Sequence, residues 1–167
     1  EEHAYVADLI RSRGHRVMLI DVGSLEPPRI KPDITREEVA ATGGVDLKNL
    51  REKQDRGESV SAMAGAAAKM VGKLAAGGRI DGIISLGGGG GTAIGTSAMR
   101  ALPVGFPKVM VSTLAAGNMA PYLGTKDIVM FPSIVDVSGL NRVSRLLFAQ
   151  AAGAICGMVE AAPPSVE

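Results

Sequence analysis

The sequence contains no tryptophan, and aromatic residues make up only 3% of its 167 positions. A core without large rings must be filled by Val, Ile, Leu, Met and Ala, which suits strands buried on both faces beneath small-residue helices. The single cysteine, Cys156, excludes an internal disulfide, and no Cys/His spacing has the form of a zinc site. Charge of one sign is lacking too: 18 Lys and Arg against 17 Asp and Glu leave a net charge of +1. That balance gives no electrostatic footprint for nucleic acid or for an anionic membrane surface, so neither is an expected partner. No run reaches the ~18 uninterrupted apolar residues of a membrane helix. Gly, Lys, Arg or Asp interrupts every candidate, and no basic-apolar leader pattern follows Glu1. The expected compartment is the cytoplasm.

Glycine is abundant instead, with 22 residues, roughly twice the usual share. It punctuates an alternation of strand-like and helix-like segments. Apolar runs of strand length predict strands at 16–22, 81–86, 107–112 and 127–131. Helical periodicity and stop signals predict helices over 1–13, 58–76, 92–102 and 139–159, and Thr35–Glu38 has capping-box spacing for a short one. Residues 49–57 read as a charged, solvated stretch, and 23–33 as a proline-bearing loop. The alternation implies right-handed βαβ units and an α/β, Rossmann-like three-layer domain with a mostly parallel sheet over residues 1–162. Pro163-Pro164 then begins a linker over 163–167. Doubly wound domains normally open on a strand that lies centrally in the sheet, whereas this chain opens on a helix. The sheet is therefore expected without its first strand, with a gap, an unpaired edge or a strand from another chain beside 81–86.

Ligands of open α/β sheets bind beyond the carboxyl ends of the strands, and four segments reach that side. The first is Gly87, Gly88, Gly89, Gly90 and Gly91, followed by Thr92. Five residues without a Cβ between a strand and a helix let backbone N–H groups and the helix dipole point at an anion, with the Thr92 hydroxyl able to donate. The run is neither a Walker A loop nor a spaced GxGxxG, and the alternative is a tight turn with no ligand. The second carries Ser112, Thr113 and Asn118, suited to phosphate or sugar or else to satisfying loop backbone or capping the next short helix. The third carries Asp136, either a magnesium or ribose ligand or the N-cap of the last helix. The fourth is Asp21, positioned for a ribose hydroxyl or for a salt bridge across its loop. His3 and His15 lack a Ser or Cys partner, and Cys156 reads as a small core residue.

Leu86–Met99, Ser112–Asn118, Ala120-Pro-Tyr122, Ser133–Asp136, Gly139-Leu-Asn-Arg142 and Asp55-Arg-Gly57 carry a family likeness. Across nearly its whole length the sequence resembles the ATP-binding amino-terminal domains of the tomato tobamovirus-resistance protein and its uncharacterised bacterial relatives. The resemblance implies a Rossmann-like lobe, ATP with Mg2+, a homo-oligomer and a second α/β lobe. It also implies a strand and a Gly-Thr-x-Asp-Thr-Lys-Gly-like turn ahead of Glu1, forming half of the nucleotide site. The expected function is a nucleotide-binding module with ATP preferred and its phosphates on Gly87–Gly91. Two alternatives stand beside it. One is an enzyme acting on a phosphorylated or carboxylated metabolite, with Asp136 or Asn118 near the chemistry. The other is a protein-interaction lobe. No pair of titratable residues stands out as acid and base, which favours binding over catalysis.

Overall fold

Three parallel strands in the order β1-β2-β3 form the centre of the domain in a computed structural model that describes residues 1–161. They are β1 (Ile83–Gly87), β2 (Lys108–Ser112) and β3 (Val129–Pro132). The register pairs Ile83 with Lys108 and Gly87 with Ser112, then Val109 with Val129 and Ser112 with Pro132. Every residue of β2 is buried, as a central strand covered on both faces must be. Burying Val109, Met110 and Val111 contributes roughly 1.5–3 kcal/mol each relative to leaving them in water. The fold is thus α/β and Rossmann-like. Pro163-Pro164 and the linker expected over 163–167 lie outside the described residues.

Helices cover both faces. On one side α5 (Gly89–Arg100) lies on β1 and β2, with α4 (Arg56–Ala76) packed on α5 and α2 (Arg36–Gly43) packed on α4. Ile94, Ala98, Met63, Ala66, Ala67 and Val71 join Val39 and Ala40 in that layer. The fit is close because Gly95 carries no Cβ: one placed there would meet Ser85 Oγ at 2.7 Å and Met110 Sδ at 3.0 Å. On the other side α1 (Glu2–Ser12) and α7 (Arg142–Glu160) pack together and against the sheet, with Val6, Ile10, Phe148, Ala152 and Ile155 meeting Val109 and Val111. Cys156 is buried in this cluster, the small core residue the sequence suggests. Helix α7 is long and apolar enough to cross a membrane by length and composition. Here it serves as a core helix, with Ala151 and Ala152 fully enclosed.

One expectation is corrected and a second is refined. Residues 16–22 are not a ladder strand: they run extended and make a single parallel bridge, Ile20 with Ile34. Their apolar composition has the strand propensity, but no neighbouring strand pairs with them among the described residues. Residues 49–57 are exposed apart from Leu50, the solvated stretch expected, and α3 (Leu47–Lys53) occupies 49–53 of them. The Asp46 carboxylate accepts from the Lys48 and Asn49 N–H groups and starts that helix, while Leu47 and Leu50 anchor it in the core. Smaller shifts also occur. Helix α4 starts at Arg56, α5 at Gly89 inside the glycine run, and α7 at Arg142. The short helix expected after the 112–118 loop is α6 (Ala120–Leu123).

Candidate functional site

The loops after β1, β2 and β3 meet at the carboxyl edge of the sheet. Thr113 N–H donates to the Gly87 carbonyl (3.3 Å), and Ser133 N–H donates to the Ser112 carbonyl (3.1 Å). Three of the four expected segments are therefore brought together by the ladder itself. Their outer residues Gly89, Thr113, Asn118 and Asp136 are exposed. The result is a solvent-facing shelf.

Within the glycine run, Gly88 is the N-cap of α5 and Gly89, Gly90 and Gly91 form its first turn. None of the five has a left-handed backbone; closeness is what the turn requires. A Cβ on Gly87 would lie 2.6 Å from the Gly91 Cα, which only backbone displacement could relieve. Gly89 is different, since a Cβ there would meet nothing within 4 Å. Helices α2, α3, α4 and α7 are each capped by their own side chain, Thr35, Asp46, Asp55 and Asn141. Helix α5 has no side-chain cap. The N–H groups of Gly89, Gly90 and Gly91 have no acceptor among the described residues. Three free donors at the positive end of a 12-residue helix form the arrangement that binds phosphate or carboxylate oxygens.

The hydroxyl residues divide into two groups. Thr92 and Ser112 are fully buried, with Thr92 Oγ1 2.6 Å from Ser112 Oγ. Thr92 Oγ1 also reaches the Gly87 carbonyl (3.3 Å), and Ser112 Oγ accepts from Leu114 N–H (3.0 Å). Their hydroxyls face inward and hold the two loops in register. Thr113 faces outward, its Oγ1 3.7 Å from where a Gly88 Cβ would sit. Asn118 Oδ1 accepts from Ala120 N–H (3.1 Å) at the start of α6.

The acids are placed less uniformly. Asp136 is not the N-cap of α7; Asn141 holds that position in a capping box with Ser144. Asp136 instead closes its own turn, accepting from Ser138 N–H at 3.3 Å, with its other oxygen directed to no described partner. Among the described residues no three His, Cys, Asp or Glu side chains cluster as a cation site. A magnesium ion here would rely on Asp136 and on ligand oxygens, the usual manner for that ion. Asp21 stands apart. Its carboxylate takes Arg36 Nε at 2.6 Å and Gly23 N–H at 2.9 Å, the salt-bridge reading of this residue. Both side chains of the pair are largely buried, beside a cleft of about 360 Å³ lined by Pro27, Pro28, Thr35 and Arg51. Arg36, which sequence reading did not single out, is therefore a buried charge whose signal was the acid fifteen residues earlier.

With that geometry in view, the chain belongs to the family described as the Uncharacterised protein family (UPF0261) N-terminal domain, whose model matches residues 1–164. It is 45% identical over 167 residues to a UPF0261 protein of Clostridium tetani (strain Massachusetts / E88), covering all of this chain and 41% of that protein. A UPF0261 protein of Mesorhizobium japonicum is 46% identical, over 98% of this chain and 41% of its own length. The ToMV susceptible protein tm-1(GCR26) of Solanum lycopersicum is 43% identical over 104 residues, 62% of this chain and 14% of that protein. The chain thus spans about two-fifths of the bacterial relatives it matches.

Proposed function

We propose that this chain is a nucleotide-binding lobe, with ATP the preferred ligand and its phosphates received by the first turn of α5. One observation carries the reading. Three successive glycines begin that helix, their N–H groups unclaimed, and at Gly89 nothing in the protein occupies the space of a side chain. Glycine in a helix costs roughly 0.5–1 kcal/mol relative to alanine, and packing does not require that cost at Gly89. Close approach of an anionic ligand does. Thr113 and Asn118 border the same shelf and suit ribose or phosphate oxygens, and Asp136 is the residue to hold Mg2+ against them. Thr92 and Ser112 support the site from beneath. Asp21 is committed to Arg36 and is given no ligand role.

Binding rather than catalysis is the preferred activity, because the shelf carries no acid–base pair. A cytoplasmic location, a homo-oligomeric state and a second lobe in the longer protein belong to the same reading. Titrating ATP–Mg2+ into the full-length protein by calorimetry tests it. Saturable binding that inorganic triphosphate displaces is expected. No heat of binding at millimolar nucleotide would end the reading.

A further inference from the structure

The Arg36 guanidinium is buried without being satisfied. The residue is 5% exposed, and its Nε–H donates to Asp21 Oδ2 at 2.6 Å, its one side-chain hydrogen bond among the described residues. A guanidinium carries further N–H donors on Nη1 and Nη2, in a rigid fork matched to an oxyanion. Neither nitrogen meets an acceptor among the described residues. Neither is sealed from solvent, since Ser59 Oγ is the one enclosed side-chain polar atom among those residues that lacks a partner. What little of Arg36 remains exposed therefore includes the Nη tips, and they border the cleft of about 360 Å³ described above.

Several elements shape that cleft. Gly23 makes room for the guanidinium: a Cβ there would lie 2.9 Å from Nη2 and 3.1 Å from Cζ. The loop that forms the wall is tied down along its length. Gly23 N–H donates to Asp21 Oδ1 (2.9 Å), Arg51 Nε to the Ser24 carbonyl (3.0 Å) and Leu19 N–H to Asp33 Oδ2 (2.7 Å). Between those ties Pro27, Pro28 and Pro32 line the cleft together with Leu25, and each proline ring fixes its own φ. The result is a preformed hollow with an apolar wall and a cationic anchor. Its volume falls at the small end of ligand sites, which run from about 300 to 1,000 Å³.

Charge selects the ligand. Asp21 balances Arg36, and Glu37, 3.5 Å from Arg51, balances the second guanidinium at the rim. A singly charged anion adds the least repulsion to this neutral group, whereas a phosphate dianion doubles it. We infer that the cleft between α2, α3 and the 23–33 loop binds a small aliphatic carboxylate. Its two oxygens sit on Arg36 Nη1 and Nη2, and its hydrocarbon part lies against the prolines. Asp21 touches no ligand; its bond to Nε holds the guanidinium and leaves the fork free, which makes it a positioning residue. The site is separate from the nucleotide shelf, which is built on α5 and the loops after β2 and β3.

Saturation-transfer NMR on the full-length protein, with butyrate as the probe, tests the site. Saturable binding at millimolar butyrate is expected, with n-butanol giving none and saturating ATP–Mg2+ leaving it unchanged. Inorganic phosphate is expected to bind more weakly than butyrate. Gly23→Ala sets a methyl against Nη2 and is expected to weaken butyrate binding roughly tenfold or more, the worth of a charge-assisted hydrogen bond. Leu25→Trp alters a lining position that is 47% exposed, away from the buried pair. It is expected to fill the cleft and abolish binding while Tm holds. No saturable signal from butyrate overturns the proposal. So do equal binding of butanol, preference for phosphate, displacement by ATP–Mg2+, or parental affinity in either folded variant.

Discussion

The hydroxyls of Thr92 and Ser112 lie 2.6 Å apart in a fully buried position, one on the first helix after β1 and the other at the last residue of β2. This bond ties the glycine turn to the next loop. Removing either hydroxyl leaves buried polar groups without partners, at about 1–3 kcal/mol. Thr92→Val and Ser112→Ala are each expected to lower stability by that amount in denaturant titration. The double variant should lose less than the sum, because residues sharing one bond couple by roughly 0.5–3 kcal/mol. Strict additivity would show that the two act independently.

Gly89→Ala separates ligand from packing. The new methyl meets nothing within 4 Å, and alanine favours the helix, so Tm should hold or rise, by up to about 1 kcal/mol of stability. ATP–Mg2+ affinity should nevertheless fall at least tenfold, about 1.4 kcal/mol. Unchanged affinity with unchanged stability would remove Gly89 from the phosphate site.

Asp136→Ala addresses the metal. The residue is exposed and closes a local turn, so stability should change by no more than about 0.5 kcal/mol. Nucleotide affinity measured with Mg2+ should fall roughly tenfold, a change of about 1.4 kcal/mol, toward the value measured in EDTA. An identical drop in EDTA would mean that Asp136 acts without the ion.

Asp21 and Arg36 are expected to matter to folding and not to the nucleotide. Their side chains are 13% and 6% exposed, and removing one member strands a buried charge at roughly 3–5 kcal/mol. Asp21→Ala should lower the urea midpoint sharply. In whatever fraction remains folded, nucleotide affinity should match the parent protein.

Lys108 predicts an acid limb. Its ammonium is fully enclosed on β2 and reaches Asp127 Oδ1 at 2.8 Å as well as the Pro103 and Phe106 carbonyls. The hydrogen bond from Lys108, joined by one from Gly105 N–H, holds the Asp127 carboxyl below its ordinary value. A depressed carboxylate contributes stability that is complete above the unfolded value and lost as pH falls through the folded one. Stability should therefore decline below the ordinary aspartate value of about 3.9. Asp127→Ala should flatten that part of the decline while lowering stability at neutral pH, as equilibrium unfolding at several pH values will show.

Most of the sheet could be read from the sequence because buried parallel strands are continuous apolar runs: IISL and KVMVS occupy the predicted positions. The first run failed on the same logic, since VMLIDV has the composition of a strand but ladder formation depends on a neighbour that composition does not encode. Helix α3 escaped notice because seven residues with two buried leucines give no usable period, although Asp46 carried a capping signal. At the shelf, sequence placed Gly87–Gly91, Ser112, Thr113, Asn118 and Asp136 on the correct edge. It could not tell an inward hydroxyl from an outward one. Thr92 and Thr113 look equivalent in sequence, and only the packing of α5 on β2 assigns one to the core and the other to solvent.

Helices α1 and α7 meet across most of the chain, and the His15–Glu160 contact at 2.7 Å closes a separation of 145 residues. A ribosome releasing about 5–20 residues each second would expose Val109 and Val111 for seconds before Phe148 and Ile155 emerge to cover them. During that interval the nascent sheet presents an apolar face and incomplete edges, which favours binding by a chaperone or pairing with another nascent chain. Because α1 cannot find its partner until α7 has emerged, this half of the domain folds last, and slower elongation through residues 113–141 would prolong its exposure.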